Sequence, residues 1–335
     1  MKKLLLVVSL ISAFTLVKAQ QDPQFTQNYF NRLFYNPAVA GSSGTICGDL
    51  FARHQWVGFD GKPETYLFNA QMPFTDPWLG QNHGVGLSVL SDKLGQESTF
   101  GLKLAYAYKL PFTVSGGTIS AGFTLGMINK SIGNDWNAVQ DYYQDQSIPD
   151  AGTSDMAFDM DFGLYYTIPN KLYFGISATH LNQATMEDDG TVDNFTNTQT
   201  GTSTLNYGNA MHLYVMAGYE QQVFDPKIIL KPNFMLRTDA VSASFDLGVL
   251  VEYNKMFWGG VSYRLQDAIS PMAGVKYTFP GSGVSGGTLK FGYSYDVTTS
   301  LLRQHSSGTH ELMLGYCFGI TPAVKPQGHR TVIWL

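Results

Sequence analysis

Thr288-Leu-Lys-Phe-Gly-Tyr-Ser-Tyr-Asp296 is the stretch whose reading decides the fold. In an extended chain successive side chains point to opposite faces. Leu289, Phe291, Tyr293 and Tyr295 then share one face, and Lys290, Ser294 and Asp296 share the other. Phe245, Leu247, Val249, Val251 and Tyr253 alternate in the same way with Asp246, Gly248, Leu250, Glu252 and Asn254. So do Phe100, Leu102, Leu104, Tyr106 and Tyr108 with Lys103, Ala105, Ala107 and Lys109. A soluble sandwich hides such an apolar face and wets the polar one. A membrane barrel reverses this, turning apolar side chains to lipid and polar ones to the lumen. Alternation alone does not separate the two.

Composition and the first residues do. Charged residues make up 14% of the chain, against roughly a quarter in ordinary soluble domains. Aromatic residues also reach 14%, with 19 Tyr and 22 Phe, and there are 35 Gly. Met1-Lys2-Lys3, the apolar run Leu4 to Val17 and the small-residue site Val17-Lys18-Ala19 predict a signal peptide over residues 1–19, cut after Ala19. Gln20 stands where a lipoprotein needs cysteine, so no lipid anchor is expected there. Nothing after Val17 approaches the ~20 apolar residues of a membrane helix. An exported, aromatic-rich, charge-poor chain without such runs fits a transmembrane antiparallel barrel, which pairs every backbone polar group in lipid without a helix. The net charge of −5 carries no basic patch for nucleic acid.

Walking along the chain gives about fourteen strands of ~10 residues, at 45–57, 63–73, 83–92, 98–110, 117–130, 156–168, 172–182, 208–223, 227–238, 242–254, 256–266, 270–279, 287–298 and 308–318. An even count puts both ends on the periplasmic side. Tight connections at Asn170-Lys171, Asp225-Pro226 and Asn254-Lys255 are expected there, and the long polar loops 131–155 and 183–207 outside. Residues 20–44 carry Phe25, Tyr29, Phe30, Phe34 and Tyr35, too much aromatic surface to hang in water. They are expected to fold inward as a lumen plug, with barrel 45–318 and periplasmic tail 319–335 following. Thr331 to Leu335 could form one more short strand.

No catalytic constellation emerges, so the expectation is no enzyme, no cofactor and no metal site. Gly281-Ser-Gly-Val-Ser-Gly286 matches a dinucleotide-binding glycine pattern but joins two strands, with no helix to meet a pyrophosphate. His310-Glu311 lacks a second histidine at position 314, and on a strand the two side chains diverge. The acidic patch Glu187-Asp188-Asp189-Gly190 with Asp193 lacks calcium-loop spacing and reads as solvated loop.

The lumen face is more informative. By alternation it holds Arg53, Lys103, Lys109, Asp159, Asp161, Lys231, Arg237, Asp246, Glu252, Arg264, Lys290, Asp296 and Glu311. Both signs are present, which predicts pairing across the interior, either bracing the barrel or supporting a plug. Cys47 begins the first strand and Cys317 nearly ends the last, strands that must meet on closure. A disulfide across that seam and two separate buried thiols are both open.

Six segments, in order, resemble the PorP/SprF family, outer-membrane components associated with the type IX secretion system of Bacteroidota. They are Gln21-Asp-Pro-Gln-Phe-Thr-Gln27, Asn36-Pro-Ala-Val-Ala-Gly41, Arg53-His-Gln-Trp-Val-Gly-Phe-Asp-Gly61, Gly260-Val-Ser-Tyr-Arg264, Gly292-Tyr-Ser-Tyr-Asp296 and Ser307-Gly-Thr-His-Glu311. Residues 131–210 carry no such motif. The resemblance implies a barrel that helps exported proteins reach or stay on the cell surface. Its cargo would carry a carboxy-terminal sorting domain, and some members serve gliding motility. Within the motifs, Asn36, Pro37, Arg53, Gln55, Trp56, Asp60, Arg264, Asp296 and Glu311 are the expected cargo- or plug-binding residues. Expected partners are that secreted protein, other secretion or envelope components, and outer-membrane lipid. Two rivals stand beside this reading, a channel for small or hydrophobic solutes and a purely structural envelope protein.

Overall fold

The structure is a computed structural model that describes residues 22–75, 82–112, 116–133, 153–189, 204–239, 241–265, 267–281, 286–300, 303 and 306–319. The strands are β1 (Ile46–His54), β2 (Glu64–Thr75), β3 (Asn82–Leu94), β4 (Glu97–Phe112), β5 (Gly117–Ile132) and β6 (Thr153–Ile168). Then come β7 (Leu172–Thr179), β8 (Thr185–Asp189), β9 (Thr204–Gly208), β10 (His212–Tyr219), β11 (Gln221–Val223) and β12 (Asp225–Thr238). The last are β13 (Ala243–Tyr253), β14 (Phe257–Arg264), β15 (Ala268–Thr278), β16 (Thr288–Thr298) and β17 (Thr309–Phe318). One helical turn, α1 (Arg32–Tyr35), and a 3-10 turn (Pro37–Val39) precede them.

Fourteen of these strands form a closed antiparallel barrel. Each pairs with its neighbour in the chain, β10 pairs with β12, and β17 closes back on β1. Closure leaves no edge with unpaired N–H and C=O groups, the condition for crossing lipid with strands. No helix among the described residues is long and apolar enough to cross a membrane.

The two faces are inverted relative to a soluble protein. Leu104, Leu247 and Phe158 on the outer face are 61%, 57% and 50% exposed, whereas Asp246, Asp159 and Glu311 on the inner face are at most 1%. An outer wall that leaves such side chains uncovered is at equilibrium only against hydrocarbon. This is an outer-membrane barrel. The alternation read at β13 and β16 holds residue by residue, whereas along β4 Lys103, Ala105 and Tyr106 are all half-buried.

Differences from the sequence reading are local. Asn170 and the pair Asn254-Lys255 do turn tightly, with φ of 56°, 52° and 57°. Asp225 and Pro226 already belong to β12, and the turn there is at Phe224, with φ 60°. Strand β10 starts at His212 rather than 208, because residues 204–208 pair instead with 185–189 in a separate hairpin, β8–β9. Loop 183–207 is therefore partly strand. Most of 131–155, the rest of that loop, the signal peptide, the acidic residues beyond Asp189 and the tail after residue 319 lie outside the described residues.

Both barrel ends share one rim, marked by Cys47 and Cys317, which face each other across β1 and β17 and form a disulfide. The amino-terminal segment does not begin at that rim. Asp22 lies beside Thr179, His180 and His212, at the far ends of β7 and β10. From there the chain descends through the lumen, turns at Arg32 near the cysteine rim, and returns along the wall to β1.

Candidate functional site

The interior is a chain of ion pairs into which residues 22–41 are tied. Arg53 in β1 stands opposite Glu311 in β17, and Asp296 comes from the next strand, β16. Because all three point inward, the Arg53 guanidinium reaches Asp296 Oδ2 at 2.7 Å and Glu311 Oε2 at 2.9 Å. A second hub is Asp246, which accepts from Arg237 at 2.7 Å and from Arg264 at 3.0 Å. Arg264 also approaches Asp296 at 4.0 Å, which links the hubs. Charges this deep are stable only when paired and hydrogen-bonded.

The inner segment supplies the remaining bonds. The amides of Thr26 and Gln27 donate to the two oxygens of Glu311, both at 2.8 Å. The Thr26 hydroxyl donates to Asp296 at 2.7 Å, and Asn28 Nδ2 donates to Asp246 at 3.0 Å. Around these contacts Phe25, Leu33, Tyr35, Val39 and Ala40 form one apolar cluster with Phe51, Leu67, Tyr214 and Met313 of the wall. Such a cluster is possible in a polar lumen because the segment carries its own aromatic surface inward.

Near the cysteine rim, Arg32 lies over the Tyr173 ring at 4.4 Å and donates to the Tyr165 hydroxyl at 2.7 Å. Tyr29 donates to Glu220 at 2.8 Å, and Glu220 also pairs with Lys231. On the returning limb, Asn36 Oδ1 accepts from the Ala38 amide and caps the 3-10 turn. Its Nδ2 donates to the carbonyls of Leu164 and Ile176. The wall makes room here by omitting side chains. A Cβ on Gly163 would collide with Asn36 Oδ1, and one on Gly84 with the Ala40 carbonyl.

At the far end, Asp22 accepts from His180 Nε2 at 2.9 Å and from the Tyr214 hydroxyl at 2.8 Å. His180 Nδ1 donates to Asp159 Oδ1 at 2.8 Å. Lys103 pairs with Asp159 at 2.7 Å and Asp161 at 3.0 Å. Burial alone would raise the Asp22 carboxyl, but the charge and hydrogen bond of His180, with His212 and Lys103 adding to them, hold it well below the usual carboxylate range. Burial alone would lower His180, but Asp22 and the hydrogen bonds to both carboxylates push it up to about 10, against the opposing charge of Lys103.

Of the residues singled out in the sequence, Arg53, Gln55, Trp56, Arg264 and Asp296 line one cavity of about 540 Å³ in the far half of the lumen. Glu311 sits behind it, tied to Arg53. Asn36 and Pro37 are elsewhere, against the strands carrying Gly163 and Gly122. Asp60 is exposed in the turn between β1 and β2 and joins neither group. Asp22, Thr26, His180 and His212 were not anticipated. Only the aromatic richness of residues 20–44 hinted that the first of them lie inside.

A profile for the type IX secretion system membrane protein PorP/SprF matches residues 17–316. No curated protein sequence matches the chain. Among solved structures, the fold is similar to a deletion mutant of TodX, a monoaromatic hydrocarbon channel. The identity is 12%, with 86% of this chain and 94% of that one covered and a TM-score of 0.53. The CymD monoaromatic hydrocarbon channel is similar too, at 12% identity, 86% and 92% coverage and a TM-score of 0.51. At such identity the likeness is one of fold. The matched profile spans the inner segment and almost all of the barrel, and by it this chain belongs to the PorP/SprF family of type IX secretion system membrane proteins.

Proposed function

We propose that the protein is a binding and anchoring device, in which the barrel retains a secreted surface protein through that protein's carboxy-terminal sorting domain. The observation that carries this reading is family membership across residues 17–316. The lumen chemistry supports it. The cavity lined by Arg53, Gln55, Trp56, Arg264 and Asp296 offers both charge signs and one large aromatic edge, which suits a polypeptide better than an apolar solute. In this reading residues 20–44 act as a plug and brace the cavity floor. The far rim faces outward, and the tail after residue 319 meets periplasmic secretion or envelope components. Retention of cargo would serve secretion, surface attachment or gliding.

The rival reading, a channel for small or hydrophobic solutes, draws on the two hydrocarbon channels of similar fold. It has one supporting feature, a cavity of about 280 Å³ beside Phe34, Leu90, Leu94 and Ile128. Against it stands the mixed-sign lumen, whose ion pairs from Arg53 to Asp246 lie in the same far half of the barrel as that cavity. Purification from the outer membrane, followed by identification of the bound polypeptide, separates the two. The anchoring reading expects a secreted protein whose retention falls when Trp56→Ala and Arg264→Ala are combined. It fails if the purified barrel passes solutes while its deletion leaves surface-protein retention unchanged.

A further inference from the structure

Among the described residues, two groups of side chains could hold a metal ion, and the structure discriminates between them. Asp159, Asp161 and His180 are within ligating distance of one another, but the Lys103 ammonium already occupies the space between the two carboxylates. Asp22, His180 and His212 form the other group, with one ligand atom from each lying within 4.8 Å of the others. Among the described residues no lysine or arginine forms an ion pair with Asp22.

The second-sphere contacts fix what the two histidines present. A metal-bound histidine almost always donates its other ring N–H to a carboxylate or a backbone carbonyl. His180 Nδ1 donates to Asp159, and His212 Nδ1 donates to the Ala210 carbonyl at 2.9 Å. A bound cation would replace the proton that His180 Nε2 donates to Asp22, while His212 brings its Nδ1 within 3.9 Å of Asp22 Oδ2. His180 Nε2 points at Asp22, and His212 Nε2 is buried without a hydrogen-bond partner among the described residues. An unpartnered buried nitrogen is unfavourable, and a cation drawn in between the rings would give it a partner. Tyr214 and Thr179 hold the second Asp22 oxygen and orient the carboxylate.

We propose that Asp22, His180 and His212 form a zinc-class divalent cation site that clasps the start of the inner segment to the far ends of β7 and β10. Two imidazoles and one carboxylate are a ligand set suited to zinc, with a fourth position open to water from the adjoining cavity. The charges agree. Asp22, Asp159 and Asp161 carry three negative charges, which Lys103 and a divalent ion cancel. Ligand atoms around tetrahedral zinc stand about 3.3 Å apart, so the three side chains must draw in by roughly an ångström. His180 and His212 adjoin coil at 180–184 and 209–211, which can give that much.

The test uses the full-length, untagged protein in detergent, equilibrated with zinc chloride, desalted and analysed for metal. One zinc ion per chain is expected. His212→Ala and Asp22→Asn should weaken binding at least tenfold, and Asp159→Asn ten- to a hundredfold. Each variant is checked for folding by its migration on a gel with and without heating. Wild-type protein that holds no zinc, or a folded His180→Ala/His212→Ala double variant that holds as much as wild type, overturns the proposal. If the variants do not fold, X-ray absorption of zinc in the wild type decides. A first shell with two imidazoles supports the site, and a shell of oxygen or sulfur alone overturns it.

Discussion

Glu311→Gln is the sharpest perturbation of the inner segment. Glu311 is fully buried, and each of its oxygens accepts one amide, from Thr26 and from Gln27, while Oε2 also faces Arg53. Glutamine has the same shape but presents one acceptor and one NH₂ donor. One of the two amides then faces a donor and is left without a partner. A lost charge-assisted hydrogen bond costs about 1.5–3 kcal/mol and an unsatisfied buried N–H about 1–3. With partial overlap of the two, the net is about 3 kcal/mol. At about 1.4 kcal/mol per factor of ten, local opening of the segment should rise by roughly two orders of magnitude. Hydrogen exchange of the peptide containing Thr26 and Gln27, measured in detergent, reads this directly. The amides of β16 and β17 serve as the internal control. Unchanged exchange at Thr26 and Gln27 in a folded Glu311→Gln barrel would refute the claim that this carboxylate holds the segment.

Three further outcomes are expected. Gly84→Ala should expel the returning limb around Ala40, making residues 36–44 protease-sensitive in a barrel that still runs folded on an unheated gel. Equal protection in wild type and variant counts against the close approach. Leu104→Lys, on the lipid face, should lower barrel stability by about 2–4 kcal/mol in urea titrations into lipid vesicles. A cost near zero would mean that this face is not in hydrocarbon. In zinc-free protein, His180 is raised above its ordinary value of 6.5, so its contribution is complete below pH 6.5 and is lost as pH rises through about 10. The lowered Asp22 contributes above pH 3.8 and less as pH falls below it. His180 should therefore remain protonated at about pH 8.5 by NMR. A neutral His180 ring there would contradict the Asp22–His180–Asp159 arrangement.

The barrel was legible because its strands obey a period of two over long runs. Phe245 to Tyr253 and Leu289 to Tyr295 state the lipid face outright, and parity then assigns Arg53, Asp246, Arg264 and Asp296 to the lumen. The hairpin β8–β9 was not legible. Glu187-Asp188-Asp189 has low strand propensity and no apolar alternation, and its pairing partner is a segment just as short. Pro226 misled for a related reason. It marks a turn in most contexts, yet here it is near the start of a strand, where a missing N–H is tolerated. The Asp22 cluster could not be read at all. Asp22 meets His180 across 158 positions of sequence, and only the path of the inner segment through the lumen brings them together.

The bond between Cys47 and Cys317 closes a covalent loop through the whole wall, with the two residues 270 positions apart. In a barrel held only by hydrogen bonds, the meeting line of first and last strands is where the cylinder could unzip sideways into the membrane. Here that line is sewn at one end. The segment that fills the lumen can therefore leave lengthwise, through a rim, but not through a slit that runs down the seam past the sewn end. Whatever enters or is withdrawn while the bond is intact has to travel along the axis of the cylinder.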